Sequence, residues 1–140
     1  MSNINKLESI EKIFAVQEKR IASELYHCFE GQRRKLEQME ELKRYRSDYL
    51  EGRKRISAVQ LAMQRVMLMK VEAALHQGVS QLKSLKQKSE SLHGQMALLR
   101  SKQKAVAKIV AREKQKQLVR MEMDEQLELE GFLLSVAANK

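Results

Sequence analysis

The second half of this chain of 140 residues carries a seven-residue apolar repeat that is kept over seven heptads. Two rows of positions, one starting at 61 and one at 64, have 15 members, and 11 of these are apolar. The 11 are Leu61, Leu68, Val71, Leu75, Leu82, Leu85, Leu92, Met96, Leu99, Val106 and Val110. A strict repeat of seven keeps one seam facing a partner helix only when the helices supercoil. The repeat therefore predicts a long coiled-coil helix.

Four members of the two rows are polar or small: Gln64, Gly78, Ser89 and Gln103. Such seam residues commonly fix the register of a coiled coil. We interpret them in that way, and tolerated bending of the helix is the alternative.

The first half of the chain has one apolar stripe at helical spacing. Its members are Leu7, Ile10, Phe14, Ile21, Leu25, Cys28, Leu36, Met39, Leu42 and Tyr49. Only Gly31 interrupts good helix formers, and the whole chain has no proline. The stripe predicts a helix over residues 4–50, with Cys28 as a buried packing residue because free cysteines are usually buried.

A break separates the two patterns at residues 51–57. The segment 51–56 has no period and contains Gly52, whereas Ser57 and Gln60 have the spacing of a capping box at the start of a helix. After Val110 the stripe resumes with a shifted phase, at Leu118, Met121, Leu129 and Phe132. We therefore predict a short tip at 51–57 and a second helix over 58–134.

These elements predict an all-α fold, a two-helix antiparallel coiled-coil hairpin whose second helix is the longer one. Residues 1–140 form a single rod-shaped domain, which we expect to be monomeric. Folding at a tip near residue 54 places residue i opposite residue 108 minus i, so the second helix would project beyond its partner from about residue 105. A dimer of straight helices is the rival arrangement, but it leaves the break at 51–57 unexplained.

Charge is distributed unevenly along a chain whose formal net charge is +9. Eight basic residues and one acid occupy positions 100–120, whereas five acids follow between Glu122 and Glu130. A basic excess is typical of proteins that meet nucleic acid, an anionic membrane surface or an acidic protein. The longest apolar run, Val66 to Met69, is far shorter than the roughly 20 residues of a membrane span. We expect a soluble, cytoplasmic protein that does not insert into a membrane.

Catalytic motifs are absent from the sequence. It has no glycine-rich phosphate loop and no cysteine or histidine spacing for zinc, and His27, His76 and His93 are isolated from one another. A two-helix rod also lacks the concave pocket that an enzyme needs. We therefore expect no enzymatic function, no cofactor, no metal site and no small-molecule substrate.

One motif links the chain to a known family. The first helix carries Gln38-x-x-x-Leu42-x-x-Tyr45-x-x-x-Tyr49, and the C-terminal part of the chain carries a Met123-Asp124-Glu125 segment. Together with the lack of proline and the two unequal helices, these features resemble the FliJ/YscO-type central stalk of type III secretion and flagellar export. The short tip and the basic composition depart from flagellar members and favour a member of an injectisome.

The resemblance implies a non-enzymatic stalk at the cytoplasmic face of the secretion apparatus. Its partners would be the hexameric export ATPase, the cytoplasmic domain of the export gate and secretion chaperones. The gate contact implied by the resemblance is Gln38, Leu42, Tyr45, Tyr49, Met67, Val71 and Ala74. Gln38, Leu42, Tyr45 and Tyr49 lie on one helix face, but ordinary packing near the tip is the alternative, because Leu42 and Tyr49 also belong to the apolar stripe.

The end that bears the two chain termini would enter the ATPase ring. The expected ring contact combines basic side chains with the start of the shifted apolar stripe, namely Lys6, Lys12, Lys19, Arg20, Lys108, Arg112, Lys114, Lys116, Leu118 and Met121. The alternative function is a basic coiled-coil protein that binds nucleic acid through residues 100–120. No aromatic interleaving or DNA-reading motif supports it, and salt-dependent binding to DNA or RNA would distinguish the two.

Overall fold

The computed structural model describes residues 2–51 and 57–139. Two helices make up these residues, α1 at Ser2–Glu51 and α2 at Ala58–Ala138, and the described part contains no β-strand. The chain is an all-α helical hairpin, as the sequence predicts. Most of the expected tip at 51–57, with its basic cluster Arg53-Lys54-Arg55, lies outside the described residues.

The capping box at the start of α2 is formed as predicted. The backbone N–H of Gln60 donates to the Ser57 hydroxyl at 3.2 Å, and the Ser57 N–H donates to Oε1 of Gln60 at 3.1 Å. These two bonds satisfy backbone N–H groups that have no partner inside the first turn of a helix. The first intrahelical bond then runs from the Leu61 N–H to the Ser57 carbonyl at 2.9 Å.

The heptad pattern of α2 is confirmed, because all 15 positions of the two rows are buried or half-buried. By their contacts the residues divide into two units, one of Lys19–Met96 and one of Met1–Glu18 with Ala97–Lys140. Leu99 and Val110 are buried in the unit that holds the termini, together with Ile4 of α1.

The Lys19–Met96 unit has a core of Met39, Val71 and Leu75, against which Leu42 and Leu82 pack. A Cβ added to Gly78 would lie 3.0 Å from the Met39 side chain, so the absence of a side chain at position 78 lets Met39 fill this layer. Cys28 is buried and unbonded, as predicted for a packing residue.

Polar residues occupy some of the seam in the terminal unit. The side-chain amide of Gln103 donates to the Glu18 carboxylate at 2.9 Å, and Lys114 lies 3.9 Å from Glu8. The Gln103 position is thus a polar seam contact with its own partner across the hairpin. A hydrogen-bonded pair of this kind fits register control better than bending.

The pairing of residue i with residue 108 minus i is wrong. Gly78 faces Met39, where that rule places residue 69, and Lys114 pairs with Glu8, where it places residue 100. The rule assumed that the midpoint of the tip sets the register. The packed layers set it instead, and they bring each residue of α1 against a later part of α2.

Two members of the predicted α1 stripe are not in the seam. Ile10 and Leu36 are 37% and 53% exposed, whereas the neighbouring Glu11 and Lys35 are half-buried at the seam positions. Steps of three and four fit more than one register, and the register observed follows Ile21, Cys28 and Met39.

The free part of α2 starts later than predicted. The sequence places it from about residue 105, but Val110 is buried and residues 113 and 117 are half-buried, whereas every residue from 118 to 139 is exposed. The shifted register accounts for the difference, because it carries α1 further along α2. We name residues 118–138 the C-terminal extension.

Distances between spin labels test this register. In a chain with Cys28→Ala, a label at position 10 is measured in turn against labels at 102, 109 and 116. We expect the shortest distance at 109, because Leu7 and Ile109 line one groove between the helices. Successive labels on α2 are roughly 10 Å apart along the helix. If residue i instead pairs with residue 108 minus i, the distance from position 10 is shortest to the label at 102 and increases to 109 and then to 116. That result would contradict the structure.

Candidate functional site

Four residues of α1 near the tip form the first candidate site, which we name the tyrosine patch: Gln38, Leu42, Tyr45 and Tyr49. The spacing places all four on one side of the helix. Gln38 and Tyr45 are exposed, whereas Leu42 and Tyr49 are half-buried at seam positions. A shallow groove of about 450 Å³ is lined by three of them and Glu41. The patch thus combines two accessible side chains with two that also support the hairpin.

The two tyrosines of the patch contact each other. Their ring centroids are 4.9 Å apart with the planes inclined at 59°, and their hydroxyl oxygens are 3.4 Å apart. The hydrogen bond to the Tyr45 hydroxyl raises the pKa of Tyr49 above its ordinary value. Each ring offers an apolar face and a polar edge to a partner, as interface tyrosines do.

The α2 residues that the resemblance adds to this site differ in accessibility. Met67 and Ala74 are half-buried, and Val71 is only 6% exposed because it belongs to the core with Met39 and Leu75. Because Val71 is buried, it can affect a partner only indirectly, by holding the Leu42 side chain in place through packing. Beside these residues, Arg46 of α1 forms an ion pair with Glu72 at 2.9 Å.

The heptad rows do not predict a groove that the structure shows on α2 close to the tip. It has a volume of about 410 Å³ and is lined by Val59, Ala62, Met63, Val66, Met67 and Lys70. Met63 and Val66 are 65% and 52% exposed. The sequence does contain the pattern that forms this groove, namely apolar residues at helical spacing outside the two heptad rows. Two of them are methionines, whose flexible side chains adapt to different partners.

The second candidate site is the end that bears the chain termini. Its expected basic side chains are all exposed on the terminal unit: Lys6, Lys12, Lys108, Arg112, Lys114 and Lys116. Lys114 and Lys116 form loose ion pairs with Glu8 and Glu113 at 3.9 Å and 3.6 Å, which surface solvation makes weak. Lys19 and Arg20 are exposed as well, at the start of the other unit.

The C-terminal extension carries ten exposed large apolar side chains, among them Leu118, Met121 and Phe132, the last 64% exposed. Five acids and one base accompany them. Soluble monomers rarely expose so much contiguous apolar surface, and such a surface usually marks an interaction site. The basic cluster and the extension together make this end the second candidate docking surface.

The described residues offer little for chemistry. They hold no group of three or more His, Cys, Asp or Glu arranged to bind a metal ion. The three histidines, His27, His76 and His93, are all exposed. In the same part of the chain, neither helix has a stretch that is long and apolar enough to cross a membrane.

Comparison with known protein families supports an assignment. The model of the family described as flagellar FliJ protein matches residues 2–139, which is nearly the whole chain. No curated protein and no solved structure matches the chain. The family matched is the flagellar one, so an injectisome origin stays a prediction. The chain folds as a two-helix hairpin, and the family match spans both helices. It therefore belongs to the FliJ family, whose members are components of flagellar or type III protein export.

Proposed function

We propose that this protein is a non-enzymatic central stalk that links the hexameric export ATPase to the export gate and promotes assembly of the ATPase and protein export. The observation that carries the proposal is the C-terminal extension, a helix of which every described residue is exposed and which bears ten large apolar side chains. A helix of this kind requires a partner to bury it. Membership of the FliJ family supports the export ATPase as that partner.

The charge of the terminal unit favours entry into a ring. Lys108, Arg112, Lys114 and Lys116 all lie within the last turns of α2 that pack on α1. A basic surface that approaches an acidic annulus gains association rate and orientation from complementary charge. The exposed apolar residues Leu118 and Met121 then follow directly along the helix and would supply the buried contact.

The tyrosine patch is proposed as the contact with the cytoplasmic domain of the export gate. Aromatic residues that are accessible and amphipathic are frequent binding hot spots. Gln38 and Tyr45 would contact the gate directly, and Leu42 and Tyr49 would contact it from the edge of the seam. On α2, the residues that would support these four side chains from below are Met67, Val71 and Ala74. Secretion chaperones are further partners that the resemblance implies, at the cytoplasmic face of the apparatus.

The test uses purified components from one host. The chain is added to its export ATPase, and both the hexamer fraction, by native mass spectrometry, and the rate of ATP hydrolysis are followed. We expect both to increase several-fold. An ATPase that assembles and hydrolyses ATP at the same rate with and without the chain would contradict the proposal. If the chain does not stimulate the ATPase but binds DNA tightly and in a salt-dependent way, the nucleic-acid alternative is favoured.

A further inference from the structure

We propose that an acidic helix of another protein docks on one flank of the Lys19–Met96 unit. This helix would carry apolar residues seven positions apart, with an acidic residue between them. By helical spacing, Phe29 and Tyr45 fall about 160° apart around α1. The flank that holds Phe29 is therefore on the other side of α1 from the tyrosine patch, and a partner bound there is distinct from the export gate.

A groove between the two helices is the centre of this flank. It has a volume of about 390 Å³ and is lined by Ala22, Leu25, Tyr26, Phe29 and Gln32 of α1 with Ser89 and His93 of α2. Tyr26 and Phe29 are each 62% exposed, and the Tyr26 ring packs edge-on against His27 with the ring centroids 5.9 Å apart. Accessible aromatic rings around a recess are typical of binding hot spots. We name this recess the aromatic groove.

A second apolar spot lies one heptad further along the flank. Leu36 follows Phe29 by seven residues and is 53% exposed, and Val79 of α2 is 57% exposed. Both lie at nearly the same level of the hairpin, because a Cβ added to Gly78 would lie 3.0 Å from the Met39 side chain. Two apolar spots that are seven residues apart match the spacing of a third helix with a heptad repeat.

Positive charge lies between the two apolar spots. Lys86 is exposed and follows Val79 by seven residues, so both share one side of α2. Arg33 of α1 is already bound by two acids of its own helix, at 2.9 Å and 2.6 Å. By spacing, Glu90 falls further from the seam than Lys86 does. Lys86 is thus the cation that faces a partner here, and it favours an acid midway between the partner's two apolar residues.

A helical partner suits this flank better than an extended segment. The backbone of an extended segment needs hydrogen-bond partners, and the described residues contain no strand whose edge could supply them. A helix satisfies its own backbone groups and presents side chains at heptad spacing. The formal net charge of +9 also favours an acidic partner.

A synthetic peptide tests the docking on the full-length chain. The probe is a fluorescein-labelled helix of about three heptads, with one leucine in each heptad, glutamate four residues after each leucine, and alanine and glutamine elsewhere. Its binding is measured by fluorescence anisotropy. Tyr26→Ala with Phe29→Ala should weaken binding at least about tenfold, because the aromatic border of the groove is lost. The matched control, Ile13→Ala with Val16→Ala, removes two exposed apolar residues at the same spacing and should bind as the wild type does.

Reversal of one charge tests the choice of an acidic partner. Lys86→Glu should weaken binding of the glutamate peptide about fivefold, because like charges then face each other. The same variant should bind a peptide with lysine in place of glutamate more tightly than the wild-type chain does. Lys88→Glu makes the same change of charge on another side of α2 and should bind both peptides as the wild type does.

Three results would each overturn the proposal: a glutamate peptide that does not bind the wild-type chain, a control that weakens as much as the aromatic variant, and a preference between the two peptides that Lys86→Glu leaves unchanged. Helix content by circular dichroism identifies a variant that fails to fold, and the charge reversal then decides. Sedimentation of the chain alone detects the other occupant. Self-association that the aromatic variant abolishes would make a second copy the occupant and would also contradict the proposal.

Discussion

A chain truncated after Gln117 is expected to lose its stimulation of the export ATPase and to keep its binding to the export gate. The truncation removes the ten exposed large apolar side chains of the extension. It leaves the contacts between the helices intact, among them Glu18 with Gln103 and Glu8 with Lys114. We expect ATP hydrolysis to fall to the basal rate of the ATPase alone, measured with purified components.

A shorter chain, truncated after Lys104, is the informative comparison. It also removes the buried Val110 and so exposes Ile4 and the first turns of α1. Loss of a buried valine alone costs about 1.5–3 kcal/mol, so this chain should unfold at a lower temperature. The chain that ends at Gln117 should keep the wild-type Tm of the hairpin. If it still stimulates the ATPase fully, the ring contact lies elsewhere, and the assignment of the extension is wrong.

The largest single effect on the export gate is expected from Tyr45→Ala combined with Tyr49→Ala. The double substitution should weaken gate binding by about 2 kcal/mol or more, because it removes two neighbouring aromatic rings from the patch. Tyr45 is 46% exposed and Tyr49 half-buried, so the two single variants separate contact from support. Calorimetric titration against the cytoplasmic domain of the gate measures the affinity.

The control for these variants is Tyr26→Ala, which removes an exposed tyrosine of α1 outside the patch. It should leave gate binding unchanged. For Tyr45→Ala we expect weaker binding at an unchanged Tm. If instead only Tyr49→Ala weakens binding, and does so together with a large loss of thermal stability, the tyrosines act as seam residues and packing near the tip explains them.

The candidate sites could be predicted in part. The spacing of Gln38, Leu42 and Tyr45 was sufficient to place them on one face, because a helix fixes which residues share a side. Val71 belongs to the heptad seam as well as to the expected gate contact, and the structure places it in the core with Met39 and Leu75. The groove around Met63 is lined by residues outside the heptad rows, so the repeat did not predict it.

The sequence by itself determined the local structure and the family. A seven-residue repeat defines one seam whatever the partner is, and all of its α2 positions are buried or half-buried. The capping box depends on two residues three positions apart, so Ser57 and Gln60 determined the start of α2 without any tertiary contact. The FliJ-type motif likewise needed no structure to be recognised, and the family match supports it.

Only the tertiary structure decided how far α1 reaches along α2, and therefore where the extension begins. Sliding one helix by a heptad leaves every seam residue in the seam, so the repeat does not select a register. The register depends on which side chains fit opposite each other. Met39 requires the space at Gly78, and Glu18 requires the amide of Gln103. These contacts join residues far apart in sequence, and they leave the exposed helix to start at Leu118.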